Sequence, residues 1–158
     1  MPLMDSRRLK VLKNLQTTLQ GMTGAAYHFP VTDSSQVTLD PTVNPITGNG
    51  GSDLLIVIEP TPDGQKTYYP AEQLTEEFTV NITMRVSCDP ANGMARVEAW
   101  ECAAADLEAV LTVDLERGGH ACDTRLLAPQ PFMAVGTNLV GVVQPMVMKI
   151  YRAYKDGT

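Results

Sequence analysis

The sequence predicts an α+β domain in which two helices pack on one face of a mainly antiparallel sheet, in the order α-β-β-α-β-β. Apolar residues recur every three or four positions in two segments, which is the period of a helix. They alternate strictly with polar residues between 78 and 88, which is the period of a strand, and two further strand-like stretches close the chain. We expect a single domain over residues 1–158, with an extended Pro- and Gly-rich polar loop over residues 25–53 after the first helix.

Two amphipathic segments predict the helices. The first, over residues 5–21, has Asp5 or Ser6 as its capping residue and ends at Gly21. Its apolar stripe consists of Val11, Leu12, Leu15, Leu19 and Met22. The second follows Asp89 and Pro90, a favourable cap and first-turn pair, and is expected to end near residue 115. The predicted buried stripe of the second helix consists of Val97, Trp100, Ala104, Leu107 and Leu111.

Four strands are predicted from the remaining pattern. Residues 53–59 form a short apolar run, which is typical of a strand covered on both faces, and residues 60–64 are expected to form a turn before a short arm at 66–69. The alternating stretch up to residue 88 predicts one long strand with one buried and one wet face. Residues 121–135 predict a strand interrupted at its prolines, and residues 139–154 a last long strand in which Pro145 indicates an edge position or a bulge.

Composition limits the classes of partner. The 158-residue chain has 12 Lys and Arg against 18 Asp and Glu, a formal charge of −6, which argues against a grip on duplex DNA or on an anionic membrane. Its three cysteines form no CxxC pair, so we expect reduced thiols in a cytosolic chain rather than disulfides or a zinc site. No secretion signal or membrane-spanning run of apolar residues is found, and we expect no membrane partner.

The usual signatures of catalysis are missing from the sequence. There is no GxSxG, HExxH or calcium-loop spacing, and the glycine-rich stretch at 48–53 lacks the Lys-Ser/Thr tail of a phosphate loop. Both histidines fall in predicted loops or turns, and Glu98, Glu101 and Glu108 are expected to form a solvated helix face. We therefore expect no enzyme activity, no catalytic residues, no metal and no cofactor.

The order of these motifs resembles a known family. Six segments show the resemblance. The first three are Leu54-Leu55-Ile56-Val57-Ile58-Glu59, the long strand 75–87 and the helix with Ala103-Ala104-Ala105-Asp106-Leu107-Glu108-Ala109-Val110-Leu111. The last three are the turn Leu115-Glu116-Arg117-Gly118-Gly119, the strand Asp123-Thr124-Arg125-Leu126-Leu127 and the C-terminal segment Lys149-Ile150-Tyr151-Arg152. Together they resemble the lambda-type tail terminator or tail completion (minor tail) proteins of long-tailed bacteriophages. The resemblance covers nearly the whole chain, and residues 25–53 match least.

This resemblance implies a structural role in the virion. Such proteins form a homo-oligomeric ring, most often a hexamer, that ends the tail tube and offers the surface to which the head docks. The implied partners are further copies of the chain, the tail tube protein and a head-side connector or head-completion protein. Genomic DNA would pass through the lumen without specific binding. The protein would lie at the head–tail junction after assembly in the host cytoplasm.

Three sets of residues are candidates for these contacts. The last strand is apolar on both faces, so its residues are candidate inter-subunit contacts: Val142, Val143, Met146, Val147, Met148, Ile150 and Tyr151. Acidic residues in the turns flanking the long strand are candidates for the lumen: Asp63, Glu72, Glu76 and Glu77. The long loop supplies candidate contacts with a partner ring: Thr42, Asn44, Ile46, Asn49 and Asp53. Deleting residues 42–51 is expected to spare the fold and impair head–tail joining.

Two other functions remain open from the sequence. The chain is compatible with a head-completion or neck ring of the same kind of particle. A small ligand-binding or enzymatic α+β domain with an unfamiliar site in the long loop is the alternative from another class.

Overall fold

The computed structural model describes residues 7–40, 54–69, 73–88, 96–119, 121, 123–133 and 138–153, with the backbone alone for 62–69, 73–75 and 151–153. These residues form two helices on a mixed sheet, as predicted for an α+β protein. The helices are α1 (Arg7–Gln20) and α2 (Arg96–Leu111), and a short 3-10 helix spans Ser34–Gln36. The strands are β1 (Val37–Thr38), β2 (Leu55–Tyr69), β3 (Gln73–Ser87), β4 (Asp123–Leu126), β5 (Gln130–Met133) and β6 (Leu139–Ala153).

The strands lie in the order β1-β2-β3-β6-β4, with β5 also paired to β6. Only β1 is parallel to its neighbour β2, and all other pairings are antiparallel. Asp123 pairs with Lys149 and Gln130 with Val143, so β4 and β5 follow one another along the same side of β6. They are two parts of the single interrupted strand that the prolines predicted.

Both helices cover the same face of the sheet. Paired residues share a face, and the register sets Phe78 opposite Met148 and Met84 opposite both Ile56 and Val142. The apolar stripes of the two helices join these strand residues in one buried cluster; the helix members are Val11, Leu15, Leu19, Ala99, Ala103, Leu107, Val110 and Leu111. The apolar residues at every second position of the long strand therefore form the floor of the core.

The apolar stripe of α2 differs from the predicted one. Val97 is 59% exposed, and Trp100 is only half-buried, with its indole Nε1 donating to the Phe132 carbonyl at 3.0 Å. The small residues Ala99 and Ala103 face the core instead, and both are fully buried. The helix also ends at residue 111, four residues before the predicted end.

Two predictions about β2 and β3 need correction. Residues 60–64 are not a turn: β2 continues through them, and the register with β3 shifts between Pro60 and Gly64, as in a β-bulge. The second face of β3 is not wet throughout, because Thr83 and Arg85 are only 7% and 2% exposed.

Pro145 lies in the central strand β6, so the predicted edge position is wrong. Strand pairing is instead interrupted on one side of β6, between β4 and β5, because Pro145 has no N–H to donate to a strand there. Leu127 N donates to the Pro145 carbonyl at 3.0 Å, and the side chain of Gln144 donates to the Leu127 carbonyl at 2.6 Å. The buried Gln144 amide thus supplies the donor that Pro145 lacks.

A buried carboxylate ties the segment after α1 to α2. Asp106 is 3% exposed, and its two oxygens accept hydrogen bonds from His28 N at 3.0 Å and Phe29 N at 2.8 Å. The first part of the predicted long loop is therefore held against the helix layer.

Candidate interaction surfaces

The acidic residues proposed for the lumen do not share one surface. Glu76 is 1% exposed and lies under α1, where its Oε1 is 3.4 Å from Arg8 Nη1. The prediction that Glu76 faces the lumen is therefore wrong. Glu77 is the next residue in the strand, points to the opposite face and is half-buried. Asp63 lies in the shifted part of β2, where only the backbone is described, and Glu72 lies outside the described residues.

The seven apolar residues of the last strand divide between two faces. Val142, Met146, Met148 and Ile150 face the helices and are at most 2% exposed, which removes them as contacts with a neighbouring subunit. Val143 and Val147 lie half-buried on the other face. They stay candidates for inter-subunit contact, as does Tyr151, of which only the backbone is described.

The five loop residues proposed to contact a partner ring, Thr42, Asn44, Ile46, Asn49 and Asp53, lie outside the described residues. Their proposed role stays a prediction.

A groove separates α2 from the sheet edge formed by β4 and the break before β5. Its volume is about 350 Å³, and its walls are Glu101, Ala104, Ala105, Glu108 and Thr112 of the helix side and Leu126, Leu127, Pro129 and Gln144 of the sheet side. The short side chains of Ala104 and Ala105 leave space beside α2. On the sheet side, space opens because the pairing of β4 with β6 ends next to Pro145. We call it the α2–β4 groove.

The rim of the α2–β4 groove is acidic. The α2 helix carries four carboxylates and one basic residue, Arg96, and three of the carboxylates, Glu98, Glu101 and Glu108, are exposed.

Burial first, and then the charges of Glu98, Asp106 and Glu101, raise the pKa of the Cys102 thiol. A thiol on this helix is therefore held protonated and poorly nucleophilic at neutral pH.

The α1 helix has the opposite charge. It contains Arg7, Arg8, Lys10 and Lys13 and no acidic residue. Arg8 turns inward, with its guanidinium carbon 4.6 Å from the centre of the Phe78 ring and Nη2 donating to the Thr61 carbonyl at 3.3 Å. Lys10 and Lys13 instead line a shallow depression on the outward side of the helix, together with Asn14 and Thr17.

The turn after α2 is closed by a buried arginine. Arg117, Gly118 and Gly119 all have positive φ angles, of 51°, 67° and 84°. Arg117 is fully buried, and its Nη2 donates to the Leu111 carbonyl at the helix end at 2.6 Å. Burial lowers the pKa of this guanidinium, and the carboxylate of Asp114 opposes that effect. The predicted Gly-Gly turn is thus also an internal cap for α2.

Sequence reasoning missed the two surfaces formed by the helices. The opposite charges of the two helices are visible in the sequence. Because the glutamates of the second helix were interpreted only as a solvated face, no binding role was predicted for this contrast. The groove could not be predicted, because it depends on where β4 leaves β6. Asp106 carried a detectable signal, since it stands at helical spacing among residues of the buried stripe, Ala99, Ala103 and Val110.

No protein-family model matches the chain, and no curated protein matches it. None of the helices in the described residues is long and apolar enough to cross a membrane. Within the same residues, no three His, Cys, Asp or Glu side chains converge as a metal site would require.

Proposed function

We propose that this protein is a structural virion protein that forms a ring at the end of a bacteriophage tail tube. The ring stops tube growth and provides the surface for head joining, and DNA passes through its lumen. The proposal rests on the resemblance of the motifs to the tail terminator family and on the geometry of the sheet.

The observation that carries the proposal is the sheet face opposite the helices, on three long central strands. Strands β2, β3 and β6 each have 15 residues, or about 50 Å at ~3.3 Å per residue. Helix α2 has 16 residues but spans only about 24 Å at 1.5 Å per residue. The helix-facing residues of β3 are nevertheless buried from Glu76 to Val86, because α1 covers the part of the sheet that α2 does not reach. The strand surface left for contacts between subunits is therefore the opposite face, on which Val143 and Val147 of β6 are only half-buried.

Charge supports a lumen without a DNA grip. Each chain has a formal charge of −6, so a ring of several copies is strongly acidic. Fixed negative charge repels phosphate over a Debye length of about 8 Å at physiological salt. A duplex can slide through such a ring without being held.

Particles that lack this protein provide the decisive test. A terminator limits tube polymerisation, so its removal should give tails that exceed the normal length distribution in electron micrographs. Purified protein should also run as a ring-sized oligomer in light scattering and appear at the head-proximal end of reconstructed tails.

Other outcomes would overturn the proposal. Detached tails of normal length together with leaking heads would assign the protein to a head-completion or neck ring. A monomer absent from particles, which one small molecule stabilises strongly and saturably in a thermal-shift screen, would instead be a ligand-binding domain.

A further inference from the structure

The two helices lie side by side on one face of the sheet and carry opposite charges. Helix α1 packs against α2 and contacts β1, β2 and β6, and its Gln16 Nε2 donates to the Val37 carbonyl at 3.3 Å. Helix α2 contacts β6 and β3 and borders β5 through the Trp100 hydrogen bond to Phe132. Because β1 and β4–β5 are the two edges of the sheet, the basic helix lies toward one edge and the acidic helix toward the other.

Exposed apolar side chains follow the same division. Of the six large apolar side chains exposed in the described part of the chain, five lie on α2, on the turn after it or on the β4–β5 edge: Val97, Val113, Leu115, Leu127 and Met133. The sixth is Leu9 of α1, 45% exposed and one helical turn before Lys13. Contact surfaces combine such apolar residues with complementary charge.

The two rim glutamates of α2 are spaced widely enough to flank one helix ridge. Glu101 and Glu108 are seven residues apart in α2, or about 10 Å along the helix axis, and they stand at the rim of the α2–β4 groove. A helix is about 10 Å wide, so the space between them admits one helix ridge. Leu127, 41% exposed, lines the sheet side of the same groove and offers an apolar contact.

We propose that the α1 ridge of one copy, formed by Leu9, Lys10 and Lys13, docks into the α2–β4 groove of a second copy. The contact is head-to-tail, because the two surfaces differ and lie toward opposite edges of each subunit. Repeated around a rotation axis, a head-to-tail contact closes into a ring. This inference rests on the proposed ring function, and it identifies the two surfaces that join neighbouring subunits of the ring.

Charge reversal on either surface tests the contact. Lys10→Glu with Lys13→Glu, or Glu101→Lys with Glu108→Lys, places like charges opposite each other. Each double variant should raise the concentration required for assembly by about tenfold or more, measured by light scattering after size-exclusion chromatography. At concentrations where every protein is monomeric, circular dichroism and thermal melts should match the wild type, because the changed side chains lie outside the core.

Mixing the two double variants provides the sharpest readout. In an alternating ring, each reversed ridge meets a reversed groove and each native ridge meets a native groove. The mixture should therefore assemble near the wild-type concentration although each component alone does not. Asp40→Lys, an exposed charge reversal just after β1 and outside both surfaces, is the matched control and should leave assembly unchanged.

The possible failures are distinct. If the wild-type protein forms rings but neither reversal weakens them, or if the mixture fails to assemble, the α1–groove contact is wrong while the ring function stands. If the wild-type protein remains monomeric in solution and in tails, the ring function is itself wrong.

Discussion

Asp106 connects the segment that follows α1 to helix α2. Replacing it with alanine removes the acceptor of two backbone hydrogen bonds, from His28 N and Phe29 N. A hydrogen bond to a charged group contributes about 1.5–3 kcal/mol, so the gross loss is about 3–6 kcal/mol. Relief of the desolvation of a 3%-exposed carboxylate offsets part of this loss. We expect Asp106→Ala to lower the free energy of unfolding by about 3 kcal/mol.

The isosteric variant separates charge from shape. In Asp106→Asn, the side-chain oxygen still accepts from one N–H, but the amide nitrogen faces the other donor. We expect a loss of about 2 kcal/mol, smaller than that of alanine. Glu101→Ala is the matched control on the same helix; its side chain is exposed, so its effect should stay within about 0.5 kcal/mol.

Chemical denaturation at low protein concentration measures these free energies without a contribution from assembly. Amide hydrogen exchange adds a local readout, because the variants should selectively lose protection at His28 and Phe29. An Asp106→Ala protein as stable as the wild type, with unchanged exchange at both amides, would refute the role assigned to this carboxylate.

Three further predictions concern the β4–β6 region and the turn after α2. Gln144→Leu removes the donor to the Leu127 carbonyl and should cost about 1–2 kcal/mol in chemical denaturation, whereas an unchanged midpoint would contradict the substitute-donor role. Gly141→Ala should cost more than about 2 kcal/mol, because a Cβ there meets the Phe132 ring and the carbonyl of the facing strand; a wild-type melting temperature would show that this packing is looser. The hydrogen bond from the Gly118 backbone lowers the Asp114 pKa, so its stabilisation is present above the unfolded value of 3.8 and lost as pH falls through the lower folded value. Asp114→Asn should therefore flatten the loss of stability below about pH 4, and identical acid-unfolding curves would contradict this.

Much of the fold could be predicted because its signals are local and periodic. The predicted α1 stripe is fully buried at Val11, Leu15, Leu19 and Met22, and only Leu12 is half-buried. The first strand after the loop is buried on both faces at residues 54–58, as predicted. Alternation predicted the long strand for the same reason, since every second side chain points to one face.

The failed predictions share a different cause. The α2 stripe was misplaced because Val97 and Trp100 are more hydrophobic than the alanines that actually face the sheet. Hydrophobicity alone does not show which side of a helix packs on its neighbours. Residues 60–64 have the composition of a turn, but pairing with β3 keeps them in the strand. Local propensity indicates what a segment can form, and neighbouring strands decide between the options.

The candidate surfaces depended still more on the tertiary structure. The sequence indicated that the last strand was apolar on both parities, but only pairing with β3 showed which half lies in the core. Similarly, adjacent glutamates in one strand appear as one acidic group in the sequence, although Glu76 and Glu77 point to opposite faces.

By itself the sequence determined the α+β class, the acidic charge, the period of each main element and the positions of the proline interruptions, because these follow from composition and local spacing. Only the tertiary structure decided that β6 is central, that Glu76 is buried under Arg8 and that a groove opens between α2 and β4. The physical reason is that burial, strand order and grooves arise from contacts between residues far apart in the chain, which no local pattern encodes.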